Sequence, residues 1–343
     1  MNKENNFLQW MTSNTQTKYW HDSADLSELA IGINNGATGV TTNPFLIGQT
    51  IDTKEDWFQI LDKLDKNLTG DEKIEAIMKS VLLEIASRLP EQGDDEIVHG
   101  VCAQTNPSHP GEYEFMLEQG DRYAQWSPQI TIKLPGTRNG IKAAEEFIAR
   151  GYNVAVTVSF TVPQVLAAGE AMQAGYDRAI SQGIKPGTGI AVLMVGRLDD
   201  YLRDVMHDTV NDASESDIIW AGTACIKRAY EIFNERGYKA LLMPAGCRGA
   251  YHITEIAGAN MVCSISPSTY NALENVKETE FKEKIHIPVD SQILERLETI
   301  PEFVKAYEPN GLEQSEFMGY GATNRTLTQF VEVGWKKIGK YNL

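Results

Sequence analysis

The chain has 343 residues, of which 42% are hydrophobic and 23% are charged, a composition typical of a globular protein. This length suffices for one large α/β domain or for two small ones. The formal net charge of −16 argues against nucleic acid and against anionic membranes as partners. An anionic substrate would therefore need a local basic pocket that works against the overall field.

No targeting or membrane-spanning segment is predicted. The first six residues lack the apolar core of a signal peptide, and no apolar run is long enough to span a bilayer. The four cysteines show no paired spacing, and no two histidines share with a carboxylate a spacing that would build a metal site. We therefore expect a cytoplasmic protein without a metal, and we leave open whether it forms a homo-oligomer.

Strand-like and helix-like segments alternate from residue 19 onward. The predicted strands are 19–22, 39–44, 96–103, 129–136, 153–160, 189–195, 239–243 and 259–264. The predicted helices include 24–36, 71–89, 112–126, 140–150, 162–181, 219–236 and 250–257, and two helices are expected between 44 and 89.

This alternation predicts a single closed (β/α)8 TIM barrel. An open doubly wound sheet would carry a phosphate-binding glycine fingerprint after its first strand, and none is present. Residues 1–273 would form the barrel with a short N-terminal segment, and residues 274–343 a C-terminal helical extension packed on it. A helix is predicted over 324–338, with Phe330 and Trp335 as docking anchors.

A lysine occupies the fourth predicted strand, in the run QITIKLPG at 129–136. An ammonium group is costly to bury unless it is paired or neutral, and a neutral amine attacks carbonyl groups to form Schiff bases. The alternative is structural, because Lys133 could extend its charge to a loop or pair with a carboxylate.

Working residues of a TIM barrel sit at the C-terminal ends of its strands. Those ends carry neutral hydrogen-bonding groups, one carboxylate, one lysine and two arginines. They are Asp22, Thr42, Asn43, Gln104, Lys133, Thr157, Ser159, Arg197, Cys247 and Arg248. Two arginines from different strands could clamp a phosphate, although either could instead form a surface ion pair with Asp199 or Asp200. We expect Thr42 and Ser159 to contact the substrate.

Four segments resemble the transaldolase family, in the same order along the chain. They are DSAD at 22–25, GVTTNPFL at 39–46, IKLP at 132–135 and VGR at 195–197, within a match that spans roughly 19–273. The family consists of (β/α) barrels with the lysine on the fourth strand. The resemblance implies a cofactor-free enzyme acting on small sugar phosphates.

The resemblance also implies a role for individual residues. Lys133 would be the Schiff-base nucleophile, Asp22 would transfer protons during carbon–carbon cleavage, and Asn43 would bind substrate hydroxyls. Thr157 would help to position the catalytic water, while Arg197 and Arg248 would hold the phosphate.

Three positions depart from the family pattern. Transaldolases carry a glutamate that holds the catalytic water, and the aldolase branch carries a glutamine there. The simplest ungapped alignment puts Gly100 at this position, and Gln104 on the same strand could take over the task. This chain has Ala155 where the family has an active-site asparagine. Residues 192–194 are Val, Leu and Met where a serine, a proline and a phenylalanine are usual.

Three functions are consistent with this combination. The sequence favours a transferase that moves a dihydroxyacetone unit between sugar phosphates. The alternatives are a Schiff-base aldolase that releases or adds free dihydroxyacetone, which a glutamine near the water would favour, and a non-catalytic sugar-phosphate-binding relative. His21, beside Asp22, could shuttle protons, but His21 and His252 more commonly would be barrel-mouth or core residues with one satisfied nitrogen.

Overall fold

Eight parallel strands form the barrel in the computed structural model, which describes residues 6–90 and 99–343. The strand order β7-β6-β5-β4-β3-β2-β1-β8 follows the chain, and a parallel bridge between Leu242 and Met261 joins β7 to the segment that leads into β8. The strands are β1 (Lys18–Asp22), β2 (Ala37–Thr41), β3 (Gly100–Gln104), β4 (Ile130–Pro135), β5 (Asn153–Thr157), β6 (Gly189–Leu193), β7 (Leu241–Pro244) and β8 (Val262–Ile265). The predicted TIM barrel is confirmed.

Helices connect successive strands on the outside of the barrel. Up to β8 they are α1 (Phe7–Asn14), α2 (Leu26–Asn34), α3 (Pro44–Thr50), α4 (Glu55–Leu61), α5 (Gly70–Arg88), α6 (Tyr113–Ala124), α7 (Arg138–Ala149), α8 (Val162–Ser181), α9 (Val195–Met206), α10 (Glu215–Ile218), α11 (Ala221–Arg236) and α12 (Tyr251–Thr254). After β8 follow α13 (Pro267–Leu273), α14 (Ser291–Leu297), α15 (Pro301–Tyr307), α16 (Gly321–Phe330), a π-helix (Val331–Trp335) and α17 (Lys336–Gly339).

The differences from the predicted elements are local. The start of the third predicted strand, 96–98, lies outside the described residues. Three helices rather than two lie between 44 and 89, and α9 was not predicted, so Arg197 lies in the first turn of a helix rather than on a strand. The periodicity of 195–206 is helical, but this segment follows the sixth strand directly, without an intervening loop that would have separated the two elements.

Local sequence fixes the helix starts that face the barrel mouth. The Oδ1 atom of Asn43 accepts a hydrogen bond from the backbone N–H of Leu46, and Pro44 occupies the first turn of α3. Thr161 caps α8 in the same way, with a proline in the first turn. These caps end each strand abruptly, and so they hold the preceding side chains at the mouth of the barrel.

The C-terminal extension packs across this mouth. Trp335 donates a hydrogen bond from Nε1 to Asp71 at 2.9 Å, and Thr323 accepts one from Gln164 at 3.3 Å. Gly334 lets the π-helix approach α3, since a Cβ atom there would lie 2.9 Å from the backbone nitrogen of Phe45. In the described ranges, no helix is long and apolar enough to cross a membrane.

Candidate active site

A cavity of about 140 Å³ opens at the C-terminal ends of the strands. Its lining combines one lysine, one carboxylate and two arginines with hydroxyl, thiol and apolar groups. The lining residues that the strands and their loops contribute are Asp22, Thr41, Asn43, Cys102, Lys133, Thr157, Val192, Met194, Arg197, Met243, Cys247, Arg248 and Ser264. Seven of the ten residues predicted at the strand ends therefore meet in one cavity, namely Asp22, Asn43, Lys133, Thr157, Arg197, Cys247 and Arg248.

Lys133 is buried without a counter-ion. The residue is only 7% exposed, and its Nζ atom donates a hydrogen bond to the backbone carbonyl of Thr42 at 3.0 Å. In the parts of the chain that the structure describes, it forms no ion pair. Of the two structural alternatives, pairing with a carboxylate is not what the described residues show, whereas the hydrogen bond to Thr42 does bring the ammonium group to a loop carbonyl between β2 and α3. Lys133 also lines the cavity.

The two cysteines in the lining are poor competitors for the role of nucleophile. Burial raises the pKa of the Cys102 thiol to about 11 and that of the Cys247 thiol to about 12. Both thiols are therefore protonated at neutral pH. Since only the thiolate is a good nucleophile, neither cysteine is suited to that role.

Asp22 is held by a chain of hydroxyl groups from neighbouring strands. Thr41 on β2 donates a hydrogen bond from Oγ1 to Asp22 Oδ1 at 2.8 Å, and its Oγ1 atom lies 2.7 Å from the Oγ atom of Ser264 on β8. The sequence reading missed Thr41 and Ser264. The alternation of side chains along each strand could have found both, since Thr41 has the same parity as Asn43.

Thr42 points away from the cavity, in contrast to its neighbours. Its hydroxyl donates to the carbonyl of Cys102 at 3.0 Å, and only its backbone carbonyl reaches Lys133. Asn43 lines the cavity, and its Oδ1 atom accepts the hydrogen bond that caps α3. Its amide NH₂ group can therefore donate to a ligand.

The end of β5 is locally strained. Val158 has a φ of 56°, which is rare for a β-branched residue, and it directly follows Thr157. Beyond it, Ser159 is fully buried and donates a hydrogen bond from Oγ to the carbonyl of Val192 at 2.5 Å. Ser159 thus lies behind the cavity wall, where it ties β5 to β6, rather than among the lining residues where we expected it.

Gln104 stands beside Lys133 in the sheet. The register between β3 and β4 pairs Gln104 with Lys133, and the register between β4 and β5 pairs Lys133 with Ala155. Gln104 is 4% exposed, and its Oε1 atom has no hydrogen-bond partner among the described residues. Gly100 has no room for a side chain, because a Cβ atom there would lie 2.5 Å from Thr131 Oγ1.

The two arginines have opposite environments. Arg248 is exposed and bound to Asp200, with contacts from Nε at 2.8 Å and from Nη2 at 2.6 Å, so the predicted surface ion pair exists for this residue. Arg197 forms no ion pair within residues 6–90 and 99–343; its Nη1 atom donates to Gln329 Oε1 at 2.5 Å. Burial, with a further contribution from Arg248, lowers the pKa of Arg197.

A buried pair fastens the loop that carries Arg248. His252 accepts a hydrogen bond at Nδ1 from the backbone N–H of Arg248 at 3.1 Å, so its proton lies on Nε2, which donates to Asp199 at 2.9 Å. The other carboxylate oxygen of Asp199 accepts from the backbone N–H of Gly222. Both ring nitrogens of His252 are therefore satisfied, rather than the one expected.

His21 is buried against Gly32 of α2 and does not belong to the cavity lining. Its Nδ1 atom is 2.7 Å from the hydroxyl of Tyr19, and burial lowers its pKa from 6.5 to about 4. These features favour the core interpretation over the proton shuttle.

The C-terminal extension adds a residue to the cavity that the sequence reading placed elsewhere. Phe330 is 1% exposed, yet its ring lines the cavity as well as docking the extension, and it lies 5.6 Å from the guanidinium carbon of Arg197. No local signal marks this contact, since it joins residues more than 130 positions apart. The described residues include no cluster of three or more histidine, cysteine, aspartate or glutamate side chains that could hold a metal ion.

Comparison with known proteins gives consistent results. The model of the transaldolase/fructose-6-phosphate aldolase family matches residues 19–319. A probable transaldolase of Anaeromyxobacter sp. is 26% identical over 263 residues, which cover 76% of this chain and 88% of that protein. A probable transaldolase of Dehalococcoides mccartyi is 27% identical over 237 residues, covering 69% and 80%. A transaldolase of Pseudoalteromonas atlantica is 32% identical over 147 residues, covering 43% and 40%.

Proposed function

Because the chain belongs to the transaldolase/fructose-6-phosphate aldolase family, we propose that it is a transferase that moves a dihydroxyacetone unit between sugar phosphates through a Schiff base on Lys133. The observation that carries the proposal is the state of Lys133: buried, without a counter-ion among the described residues, and bordering the cavity. Burying an ammonium group is costly, and a role as the Schiff-base nucleophile would explain why Lys133 is kept at the cavity.

The proposed reaction starts at the ketone carbon of the donor. The Lys133 nitrogen adds to this carbon, water leaves, and the protonated imine accepts the electron pair of the bond between the third and fourth carbons. Asp22 takes the proton from the hydroxyl on the fourth carbon, so that this carbon departs as an aldehyde. A three-carbon enamine stays on Lys133 and attacks an acceptor aldehyde, whose oxygen takes the proton back from Asp22. Water then hydrolyses the resulting imine, which frees Lys133 and releases the new ketose.

The other lining groups support this sequence of steps. Thr41 orients Asp22 through the hydrogen bond to Oδ1, and the free amide donors of Asn43 suit a substrate hydroxyl. In this proposal Thr157 holds a water molecule and Arg197 and Arg248 hold the phosphate, which their positions in the cavity lining support. Neither a metal nor a cofactor has a part in this scheme.

A second candidate function, a Schiff-base aldolase that releases free dihydroxyacetone, is favoured by Gln104. The resemblance places a glutamate at the water in transaldolases and a glutamine in the aldolase branch, and Gln104 is level with Lys133 in the register. A neutral amide can hold a water molecule but cannot exchange its proton as a carboxylate does.

Trapping tests the covalent step. The protein is incubated with fructose 6-phosphate and sodium borohydride, and intact and peptide masses are measured for the wild type, Lys133→Met and the exposed-lysine control Lys142→Met. We expect a three-carbon adduct on Lys133 in the wild type and in the control, and none in Lys133→Met. No adduct from this donor, from other ketoses or from free dihydroxyacetone would favour the non-catalytic binding protein.

The two enzymatic functions differ in the fate of the enamine. After donor cleavage, free dihydroxyacetone and the transfer product are quantified with and without erythrose 4-phosphate as acceptor. A transferase releases dihydroxyacetone slowly without the acceptor and forms product rapidly with it. Release at the same rate in both conditions would identify the aldolase.

A further inference from the structure

We propose that the C-terminal extension completes the anion-binding side of the cavity, where Gln329 and Phe330 hold the Arg197 guanidinium as an uncompensated cation for the phosphate group of the substrate. The inference rests on the proposed function, because that function supplies the phosphate. It assigns to two residues outside the barrel a part in substrate selection.

The hydrogen bond and the ring contact that the structure shows for Arg197 are both with neutral groups, although Asp22, Asp200 and Arg248 lie near enough to affect its pKa. Its Nη1 atom donates to the amide oxygen of Gln329, and the ring of Phe330 lies 5.6 Å from its guanidinium carbon. An amide oxygen and an aromatic face orient a guanidinium without cancelling its charge. The remaining donors of Arg197 are therefore available to a ligand that brings its own negative charge.

Arg248 shows what the alternative arrangement looks like. Its Nε and Nη2 atoms both bind one carboxylate oxygen of Asp200, and a third nitrogen donates to the carbonyl of Gly246. This pairing leaves the charge of Arg248 largely compensated and exposed to solvent. Of the two arginines in the lining, Arg197 thus provides the stronger anion attraction, although the overall charge of the chain is −16.

The position of Gln329 is fixed from both sides. Thr323, at the start of α16, accepts a hydrogen bond from Gln164, and Trp335 in the π-helix donates to Asp71. Between these two anchors the helix has little freedom to carry Gln329 away from Arg197. A change of the side chain at 329 should therefore act on the arginine locally.

The test replaces the neutral partner by a charged one. Gln329→Glu places a carboxylate within hydrogen-bond reach of Arg197, while Asn324→Glu adds the same charge at an exposed position of the same helix. Binding of inorganic phosphate is measured by calorimetry, and KM and kcat are measured with fructose 6-phosphate. We expect Gln329→Glu to weaken phosphate binding and to raise KM by on the order of 10- to 100-fold. Asn324→Glu should leave both within about twofold of the wild type.

A second substitution and a second substrate separate recognition from loss of structure. Gln329→Ala removes the orienting oxygen without adding charge, and we expect an increase in KM of roughly 3- to 10-fold. Borohydride trapping of Lys133 with free dihydroxyacetone, which has no phosphate, should be unchanged in every 329 variant. Reduced trapping in parallel with the loss of phosphate binding would mean that the variants are misfolded at the site and would overturn the assignment.

The outcomes also separate this inference from the proposed function. The role of the extension is overturned by either of two results. One is that Gln329→Glu binds phosphate as well as the wild type does, and the other is that the wild type does not bind phosphate at millimolar concentration. Failure to trap an adduct on Lys133 instead refutes the Schiff-base function, and the phosphate measurement still decides whether Gln329 controls the arginine.

Discussion

Replacement of His252 by leucine should destabilise the protein. It should also loosen the loop that carries Arg248, a residue proposed to hold the phosphate. His252 joins Asp199, whose side chain is fully buried, to the backbone N–H of Arg248. Leucine fills a similar volume but leaves a buried carboxylate oxygen and one N–H without their partner. Leaving a buried acceptor without its partner costs about 1–3 kcal/mol, and more when the acceptor is charged, while Asp199 retains one hydrogen bond from Gly222. We therefore expect a loss of about 3 kcal/mol in the free energy of unfolding.

Urea denaturation at pH 7.5 and 25 °C measures this loss, with the exposed His207→Leu as the control. The Asp199→Leu variant and the double variant complete a thermodynamic cycle. Since leucines in both positions leave no buried charge, the double variant should lose less stability than the sum of the two single variants. A His252→Leu variant within 1 kcal/mol of the wild type, or strict additivity in the cycle, would refute this account of the pair.

Three further predictions follow from individual contacts. The pKa of His21 falls from 6.5 to about 4 on folding, so the unfolded chain binds the proton more tightly. The free energy of unfolding should therefore fall by about 3 kcal/mol as the pH falls from 6.5 toward 4. Denaturation of wild type and His21→Gln across this range should show a shallower slope for the variant, and equal slopes would contradict the assignment. Thr41→Val removes the hydroxyl bound to Asp22 and should lower kcat by roughly 10- to 100-fold with little change in KM, whereas an unchanged kcat would show that Asp22 needs no such support. Trp335→Phe removes the hydrogen bond to Asp71 and should cost about 1–2 kcal/mol in urea denaturation; no loss would mean that packing alone docks the extension.

The sequence was most informative where strands are central and short-range signals are clear. The run that carries Lys133 is β-branched and ends at a proline, so both its strand character and its end were readable. Because all strands are parallel, their C-terminal ends meet at one mouth, and most of the residues predicted at these ends meet in one cavity. This explains why Asp22, Lys133 and Arg197 could be grouped without a structure.

Side-chain direction was harder to predict than position along the chain. Thr41, Thr42 and Asn43 are consecutive, and only the outer two line the cavity, while the middle hydroxyl binds the carbonyl of Cys102. At Ser159 the strained backbone of Val158 redirects the chain, so alternation along the strand no longer applies. Such local irregularities depend on tertiary packing, which a pattern of residue types does not encode.

Register shows how deep Gly100 and Gln104 lie on the third strand. Without a structure, Gly100 and Gln104 were both candidates for the water-holding position. The ladder pairs Gln104 with Lys133, and Gly100 lies four residues deeper, against Thr131, where a side chain would clash. A one-residue uncertainty in strand register turns a side chain to the other face, whereas a four-residue difference keeps the face and changes only the depth.

The proposed reactive side of this cavity and its proposed recognition side are built from different kinds of contact. Lys133 is placed by sheet register, so its position follows from the barrel itself and should tolerate changes in the loops. Arg197 owes its uncompensated charge to Gln329, a residue of the extension far away in sequence. Substitutions in the extension can therefore alter which anion is preferred while Schiff-base formation persists. The opposite behaviour, in which every change in affinity for phosphate also alters trapping on Lys133, would mean that the two sides act as one unit.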